Sequence, residues 1–517
     1  MFGTALAILL AANCALAGSA AMHLAGQISS NPSNTSNALA SSSSSSLSSC
    51  LSSAGLSPIT SSSSSYAADV VAYNHRLKFK PVSVVYPTNA AGVASAVKCA
   101  ASAGVKVAAR SGGHSYAANG LGGQDGSLVV DLKHLHSIKV TASSQKATFG
   151  TGIRLGDLAL ALYNNGGQAM AHGTCPYVGT GGHLACGGFG FPSRQWGLAL
   201  DAVTSAEVVL ANGTIVKASS NTNPDLFFAI RGAAPSFGIV TQLTVKTQPA
   251  PSSNILFEYT FNPATASAAA KMFAAYQTWG ANTAPPQIGI HIELDAGYFA
   301  LSGVYYGSKS AFTSAITPLL NAMGKPASTS VKTYDWIGIL TQLAGSDGPL
   351  NTSTKADESD TFYAKSLMVA EDALLTDAAL LNFMTYLYGP GVKADSSWFI
   401  LADLWGGPGS AVNAVSSTAT AFSHRNTLYT FQIYTSSGTK SFPSDGISFV
   451  DGIVNSITEK MPSTSFGAYN CYVDPALTAS QAHTQYYGST ATTKLNSIKA
   501  AVDPKHVFSF PQAIGQS

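Results

Sequence analysis

Two short segments of this chain carry residue types at spacings that can do chemistry. Arg110-Ser111-Gly112-Gly113-His114-Ser115-Tyr116 puts two adjacent glycines, an imidazole and a phenol into one turn. Adjacent glycines let the backbone approach a ligand closely, and their amides can cradle a phosphate. The turn is neither G-x-G-x-x-G nor a loop ending in G-K-[ST], so it is not a nicotinamide fingerprint or a P-loop. A strand followed by two glycines is usually only a turn; what sets this one apart is that His114 and Tyr116 leave from it together. The second segment is His172-Gly173-Thr174-Cys175-Pro176, followed by Gly179-Thr180-Gly181-Gly182-His183 and Gly187-Gly188-Phe189-Gly190. So many glycines in a short span suit backbone packed against a flat or charged ligand. A lone cysteine is more often a small buried hydrophobe, but Cys175 is held locally rigid by the proline after it.

Around these segments, Ser83 to Tyr86 reads as a strand and Ala90 to Ala103 as a helix with apolar spacing. A strand over Val105 to Ala109 leads into the first glycine turn. Further strands are expected over Ser127 to Leu132 and Ala147 to Gly150, with a helix over Leu155 to Asn164. Ala206 to Leu210 and Thr214 to Lys217 flank Asn212-Gly213, a strong hairpin signal. After the Pro249 and Pro251 linker, the pattern predicts a strand (Ile255 to Phe261), a helix (Ala264 to Trp279), strands near Ile288 to Leu294 and Tyr298 to Tyr306, and a helix over Lys309 to Met323. Helix and strand alternate again through Thr427 to Thr435 and Gly446 to Ile457, and a last helix is expected over Thr492 to Val502, before Asp503-Pro504. The fold class is therefore α+β. A first unit over 66–248 and a second over 249–465, with a sheet covered by helices on one face, are followed by a return of 466–517 to the first unit.

The composition excludes several function classes. Of 517 residues, 46% are hydrophobic and only 10% charged, with 27 Lys+Arg against 25 Asp+Glu. A net charge of +2 provides no footprint for nucleic acid or an anionic membrane, and sparse charge argues against disorder. Past the leader, no apolar run is long enough to span a bilayer. Ala5 to Ala12 followed by Ala15-Leu16-Ala17 reads as an export signal over 1–17, which makes the protein secreted. Residues 18–65 are Ser-rich and read as a flexible arm, with the folded part beginning near Tyr66. Asn34, Asn212 and Asn351 open glycosylation sequons. No pair of cysteines has a metal or thioredoxin spacing, so no metal is expected. Export removes Cys14 and leaves Cys50, Cys99, Cys175, Cys186 and Cys471, an odd number in an oxidising compartment.

Taken together, the two glycine-rich segments resemble the vanillyl-alcohol-oxidase (PCMH) type of FAD-binding fold, in the branch that contains berberine-bridge enzymes and fungal oligosaccharide oxidases. The likeness runs from about Cys50 to Gln512 and includes Asp201 in Gly197-Leu-Ala-Leu-Asp201, Ile239 and Val240 in Phe237-Gly-Ile-Val240, and the tail Asp503 to Phe508 with Pro511 and Gln512. The resemblance implies FAD held by two covalent bonds, from His114 to the 8α-methyl and from Cys175 to carbon 6 of the ring. It implies a cofactor shell of Arg110, Ser111, Gly112, Gly113, Ser115, Tyr116, Thr174, Gly179, Gly182, His183, Gly187, Gly190, Asp201, Ile239 and Val240. A thiolate and an imidazole nitrogen are both competent to attach to an electron-poor ring, and two tethers fix the ring without covering it.

In Tyr469-Asn-Cys-Tyr-Val-Asp474 the resemblance makes Tyr472 the general base. Tyrosine ordinarily titrates near pH 10 and needs help for this task; Asp403, in Leu401-Ala-Asp403-Leu-Trp-Gly-Gly407, fits the position of a carboxylate partner. Gln432 and Glu293 fit polar positions lining the substrate groove, and Tyr298, Tyr305, Tyr306, Trp336 and Trp405 are weaker candidates for stacking on sugar rings. The chain departs from the family at Cys471, where relatives commonly carry Asn, and at Leu401, where one type has a Gln. Cys50 and Cys99 match a disulfide of the fungal oxidases. Cys186 and Cys471 are read as two buried thiols in preference to a disulfide, although both adjoin the same site. The implied activity is that of a secreted, monomeric oxidase that converts the reducing-end anomeric hydroxyl of an oligosaccharide to a lactone and dioxygen to hydrogen peroxide. The rivals are an oxidase of a secondary metabolite on the same scaffold, a dehydrogenase that uses dioxygen poorly, and a flavin-fold binding protein without turnover.

Overall fold

A computed structural model describes residues 45–345, 349–355 and 357–516. The export signal, Cys14 and the Asn34 sequon lie outside the described residues. The serine-rich segment does not run unstructured to position 65. Helix α1 spans 45–53 and buries Leu47 and Leu51 against Val93, Val97 and Phe508. A Cys50–Cys99 disulfide pins it to helix α2 (Ala90–Ala103). Two leucines spaced four apart were enough to give a serine-rich stretch an apolar helical stripe.

The first unit contains two sheets. Strands β1 (Ser83–Val85), β2 (Val107–Arg110) and β3 (Leu128–Asp131) form a parallel sheet in the order β1-β3-β2. Strands β4 (Ile138–Thr141), β5 (Lys146–Gly150), β6 (Val203–Val209), β7 (Ile215–Ser219) and β8 (Ile239–Lys246) form an antiparallel sheet in the order β4-β5-β8-β6-β7. The β6–β7 hairpin turns at Asn212-Gly213, with Gly213 at φ +75°, as that dipeptide requires. Between these sheets a short helix, α3 (Thr180–Cys186), follows the second glycine-rich segment.

The second unit is a seven-stranded antiparallel sheet: β9 (Asn254–Phe261), β10 (Ile288–Asp295), β11 (Tyr298–Tyr306), β12 (Ser328–Tyr334), β13 (Phe362–Ala370), β14 (Ser397–Leu404) and β15 (Thr427–Ser436), in the order β12-β9-β11-β10-β14-β15-β13. Alternation along the strands separates its faces. Ile290 and Ile292 of β10, Ile400 and Ala402 of β14, and Phe431 and Ile433 of β15 face helices α4 (Ala266–Asn282), α5 (Lys309–Met323), α6 (Asp377–Tyr388) and α7 (Gly446–Thr458) in one core. The alternate positions carry His291, Glu293, Asp403 and Gln432, so the other face of the sheet buries polar groups, while at its β9–β11 edge Leu256, Val304 and Tyr306 pack against a further helix, Trp336–Leu343. Strands β12, β13 and β14 and helix α6 had no counterpart in the periodicity. Helix α8 (Ala479–Val502) starts earlier than expected and breaks at Gly488, φ +71°. Beyond it, the carbonyl of Val507 accepts from the Val107 amide at 2.9 Å.

One buried arginine binds the units together. Arg194, fully buried, donates to the carbonyls of Gly406 (2.9 Å), Pro285 (2.7 Å), Ile288 (2.8 Å) and Ala284 (2.9 Å). Burial lowers its pKa to about 10, which leaves it charged at neutral pH. Arg194→Met strips four buried carbonyls of their donor, and stability is expected to fall by on the order of 3–5 kcal/mol. Thermal unfolding checks this, with Arg194→Lys recovering only part of the loss because it has three donors in place of five.

Candidate functional site

The two glycine-rich segments meet where β2 ends and α3 begins, crossing backbone on backbone. A Cβ at Gly112 would lie 2.3 Å from the Gly179 nitrogen, and one at Gly179 would lie 2.0 Å from the Gly112 nitrogen. Only residues without side chains permit that approach. Ser111 locks the crossing: its hydroxyl donates to the Thr151 carbonyl and accepts from the Gly181 amide at 3.3 Å. As a result, His114 and Cys175 face one cleft, whose walls include Ser111 to Tyr116, Gly173 to Cys175, Gly179, Gly181 to His183, Gly232 to Ser236 and Val240.

Both nucleophilic groups have defined surroundings. The His114 Nε2 hydrogen-bonds Asp357 Oδ2 at 2.8 Å, and its ring stacks on Tyr73 at 4.1 Å. Burial disfavours charge on His114, but its hydrogen bond to Asp357 and the nearby charges of Cys175 and Asp357 together raise its pKa above the ordinary value. Among the described cysteines, Cys175 belongs to neither disulfide. His183 is neutral, with its pKa pushed down to about 3 by burial and by His172, and its Nε2 accepts from the Gly173 amide at 2.9 Å. Asp357 and Tyr73 were not anticipated; nothing local in the sequence marks a residue 243 positions from His114 as its partner.

At the cleft's other end Tyr116 stacks in parallel on Tyr472, with centroids 5.8 Å apart and planes 9° apart. Gln432 Nε2 donates to the Tyr116 hydroxyl at 2.8 Å. Tyr469 meets Tyr472 edge-on at 5.0 Å. Burial raises the Tyr472 pKa well above the usual phenol value, and the charge of Asp403 adds to the rise. Asp403 Oδ1 pairs with His291 Nδ1 at 3.1 Å across neighbouring strands. Burial works against the charged His291, while the hydrogen bond and charge of Asp403, aided by Glu293 and Glu258, raise its pKa overall. His291 was also missed, although it precedes Glu293 by two residues and so shares its face of β10. Glu293 is itself pushed up to about 7 by burial, against His291 and with Glu258 and Asp295.

Several expected residues lie outside the cleft. The Asp201 carboxylate is held bidentately by Arg425 at 2.9 and 2.8 Å and caps the Leu198 amide, so it braces the scaffold. Gly187 packs on the Tyr469 ring, and a Cβ at Gly190 would strike the His172 carbonyl at 1.8 Å. Ile239 packs in the core with Val97, while its neighbour Val240 lines the cleft. Asp403 and Glu293 stand on the polar sheet face beyond the cleft lining. Trp336, Tyr306, Tyr305 and Trp405 are core residues, not platforms. The expectation of two thiols at Cys186 and Cys471 is overturned: they form a disulfide, their Cα atoms 5.3 Å apart though 285 residues separate them in sequence. The fold brings the end of α3 against the Tyr472 loop, which sequence distance concealed.

The donor set fits a flavin dinucleotide. Main chain from Gly112, Gly113, Gly182 and Gly232 flanks the cleft, an added Cβ at Gly182 would meet nothing within 4 Å, and an imidazole and a thiol border the same space. Comparisons with known proteins agree. A family model described as "FAD binding domain" matches residues 81–219, and one described as "Berberine and berberine like" matches residues 468–515. Xylooligosaccharide oxidase of Thermothelomyces thermophilus is 39% identical over 88% of this chain and 92% of its own. Chitooligosaccharide oxidase of Gibberella zeae is 37% identical over 87% and 91%. The structure of glucooligosaccharide oxidase from Acremonium strictum, described as carrying a 6-S-cysteinyl, 8α-N1-histidyl FAD, superposes with a TM-score of 0.85 at 32% identity, covering 91% of this chain and 99% of its own.

Because its carboxyl is raised, Glu293 favours the folded state fully below its unfolded pKa, and that contribution is lost as pH rises through about 7. Glu293→Gln is therefore expected to raise the melting temperature at pH 8 by on the order of 1–3 °C and to leave it unchanged at pH 4. Calorimetry at the two pH values measures the difference.

Proposed function

This chain belongs to the berberine-like FAD-binding oxidoreductases, the family of the oligosaccharide oxidases, and from that premise we propose that it oxidises the reducing-end anomeric hydroxyl of an oligosaccharide to a lactone, with dioxygen reduced to hydrogen peroxide. The observation that carries this reading is the convergence of Tyr472 and Gln432, with Asp403 and His291 behind them, where the cleft holding His114 and Cys175 meets the polar sheet face. A buried polar face suits a neutral, hydroxyl-rich substrate better than an apolar metabolite, because each hydroxyl needs a partner once it leaves water.

His114 and Cys175 would hold FAD covalently. Because Asp357 engages Nε2, Nδ1 would be the atom that carries the attachment, and the hydrogen bond would persist with the ring in its protonated form, which Asp357 favours. The bound flavin supplies the electron-pair acceptor and the site of dioxygen reduction. Tyr472 receives the proton of the anomeric hydroxyl. Its raised pKa excludes a resting phenolate, and the negative charge of Asp403 opposes ionisation further. Asp403 therefore does not activate Tyr472 by lowering its pKa. It is the carboxylate toward which Tyr472 passes its own proton as it takes up the substrate's. His291, its Nδ1 3.1 Å from Asp403 Oδ1, fixes the carboxylate. Gln432, through the Tyr116 hydroxyl, sets the ring on which Tyr472 lies. The relatives are named for xylo-, chito- and glucooligosaccharides, so sugar type is settled by assay. With a leader over 1–17 the enzyme acts outside the cell.

Peroxide release is expected with at least one member of a panel of xylo-, cello-, chito- and malto-oligosaccharides plus lactose; silence across the panel sinks the reading. Tyr472→Phe should cut kcat by about 10²–10⁴. Denatured wild-type protein should retain its yellow flavin, as should His114→Ala and Cys175→Ala singly, while the double variant loses it. Release of flavin from denatured wild type would refute the covalent attachment.

A further inference from the structure

Tyr472 sits on a loop that the C-terminal segment inserts between the two units, and its ring is held by packing. A parallel stack on Tyr116 and an edge contact with Tyr469 fix the plane of the phenol. They do not fix its position along the stack, because sliding one ring over another costs little while the faces stay in contact. The height of the hydroxyl must be set by the main chain beneath it.

That main chain is tied to the second unit at Tyr469, whose amide donates to Ser366 Oγ of β13 at 2.6 Å, and by its side chains to the flavin-binding unit. The Tyr469 hydroxyl accepts from the amides of Gly188 (2.9 Å) and Phe189 (3.1 Å). Asn470 Nδ2 donates to the Gly232 carbonyl at 2.6 Å. Cys471 is bonded to Cys186, the last residue of α3. Helix α3 begins at the crossing of the two glycine loops, carries His183 against the cleft, and ends at this sulfur; Cys186 and Cys471 both line the cleft. The next tie after Tyr472 is at Asp474, whose amide donates to the Tyr486 hydroxyl at 2.9 Å. Inside the loop the Tyr472 amide donates to the Tyr469 carbonyl at 2.9 Å, so the disulfide is the last tie from the loop to another element before the phenol, and it refers the phenol to the same helix that forms one wall of the cofactor cleft.

We infer that the Cys186–Cys471 disulfide is a positioning device for catalysis: it sets the distance between Tyr472 and the cofactor cleft, and does so as a covalent part of the active site, not merely as a brace for the fold. The inference rests on the reading of Tyr472 as the proton acceptor. A cross-link spanning 285 residues would be expected to act mainly on the unfolded chain. Here its location gives it a second role, since a catalytic group must be held within a fraction of an ångström of its productive place.

The test compares the wild type with the C186S/C471S double variant, both loaded with flavin, on the best sugar of the panel. Flavin content after denaturation and KM within about twofold are expected to be unchanged, while kcat falls by about tenfold to a hundredfold, the scale of a misplacement of about 1 Å. Hydrogen exchange of the peptide covering 466–474 should rise by about tenfold, with β14 and β15 unaffected. Wild-type kcat in the variant, or exchange at 466–474 equal to wild type, overturns the inference. If the double variant does not fold, C50S/C99S protein, which retains only this disulfide, is reduced with a phosphine and alkylated, and the same readouts are taken on it. Absence of sugar turnover in the wild type refutes the reading of Tyr472 instead, and the exchange measurement still reports whether the cross-link orders the loop.

Discussion

The crossing of Gly112 over Gly179 is the constraint on which the site depends. Two backbones approach there to a distance that no side chain survives. Because one strand of the crossing leaves β2 and the other enters α3, the contact fixes the relative position of two segments more than sixty residues apart. His114 lies two residues beyond one glycine and Cys175 four before the other, so their convergence on a single cleft follows from the crossing. Any residue larger than glycine at either position would part the loops and separate the two groups that would tether a flavin.

The second unit solves a different problem, which is how to bury polar groups. Its seven-stranded sheet turns one face to four helices and presents the other, bearing His291, Glu293, Asp403 and Gln432, toward the cleft. Buried charges need partners. Asp403 has His291, Arg425 has Asp201, and Arg194 has four carbonyls. Glu293 makes no salt bridge among the described residues, and burial outweighs the nearby His291 and holds its proton to about pH 7. The polar face therefore contains one settled pair and one carboxyl that titrates near neutrality.

Tyr472 illustrates why a residue type alone does not define a mechanism. In the sequence, a tyrosine with a nearby carboxylate suggests a phenol made easier to ionise. In the folded chain the carboxylate has the opposite effect, since like charges so close raise the phenol's pKa. A role for the pair as a relay is consistent with that sign, and a role for Asp403 as an activator by charge is not.

What the sequence determined by itself was local. Glycine pairs beside a histidine and a cysteine, an Asn-Gly hairpin and the period-two alternation of β10 and β15 each depend on residues a few positions apart, where backbone geometry leaves few choices. The alternation even contained His291, on the same face as Glu293. Only the tertiary structure decided which distant residues meet. The pairing of His291 with Asp403 depends on the register between β10 and β14, 112 residues apart, and that of Asp357 with His114 on a loop of the second unit just before β13. The bond between Cys186 and Cys471 depends on where the C-terminal segment re-enters the first unit. Periodicity tells which face a side chain takes. What lies opposite it is set by the packing of whole elements, and no short-range pattern encodes that.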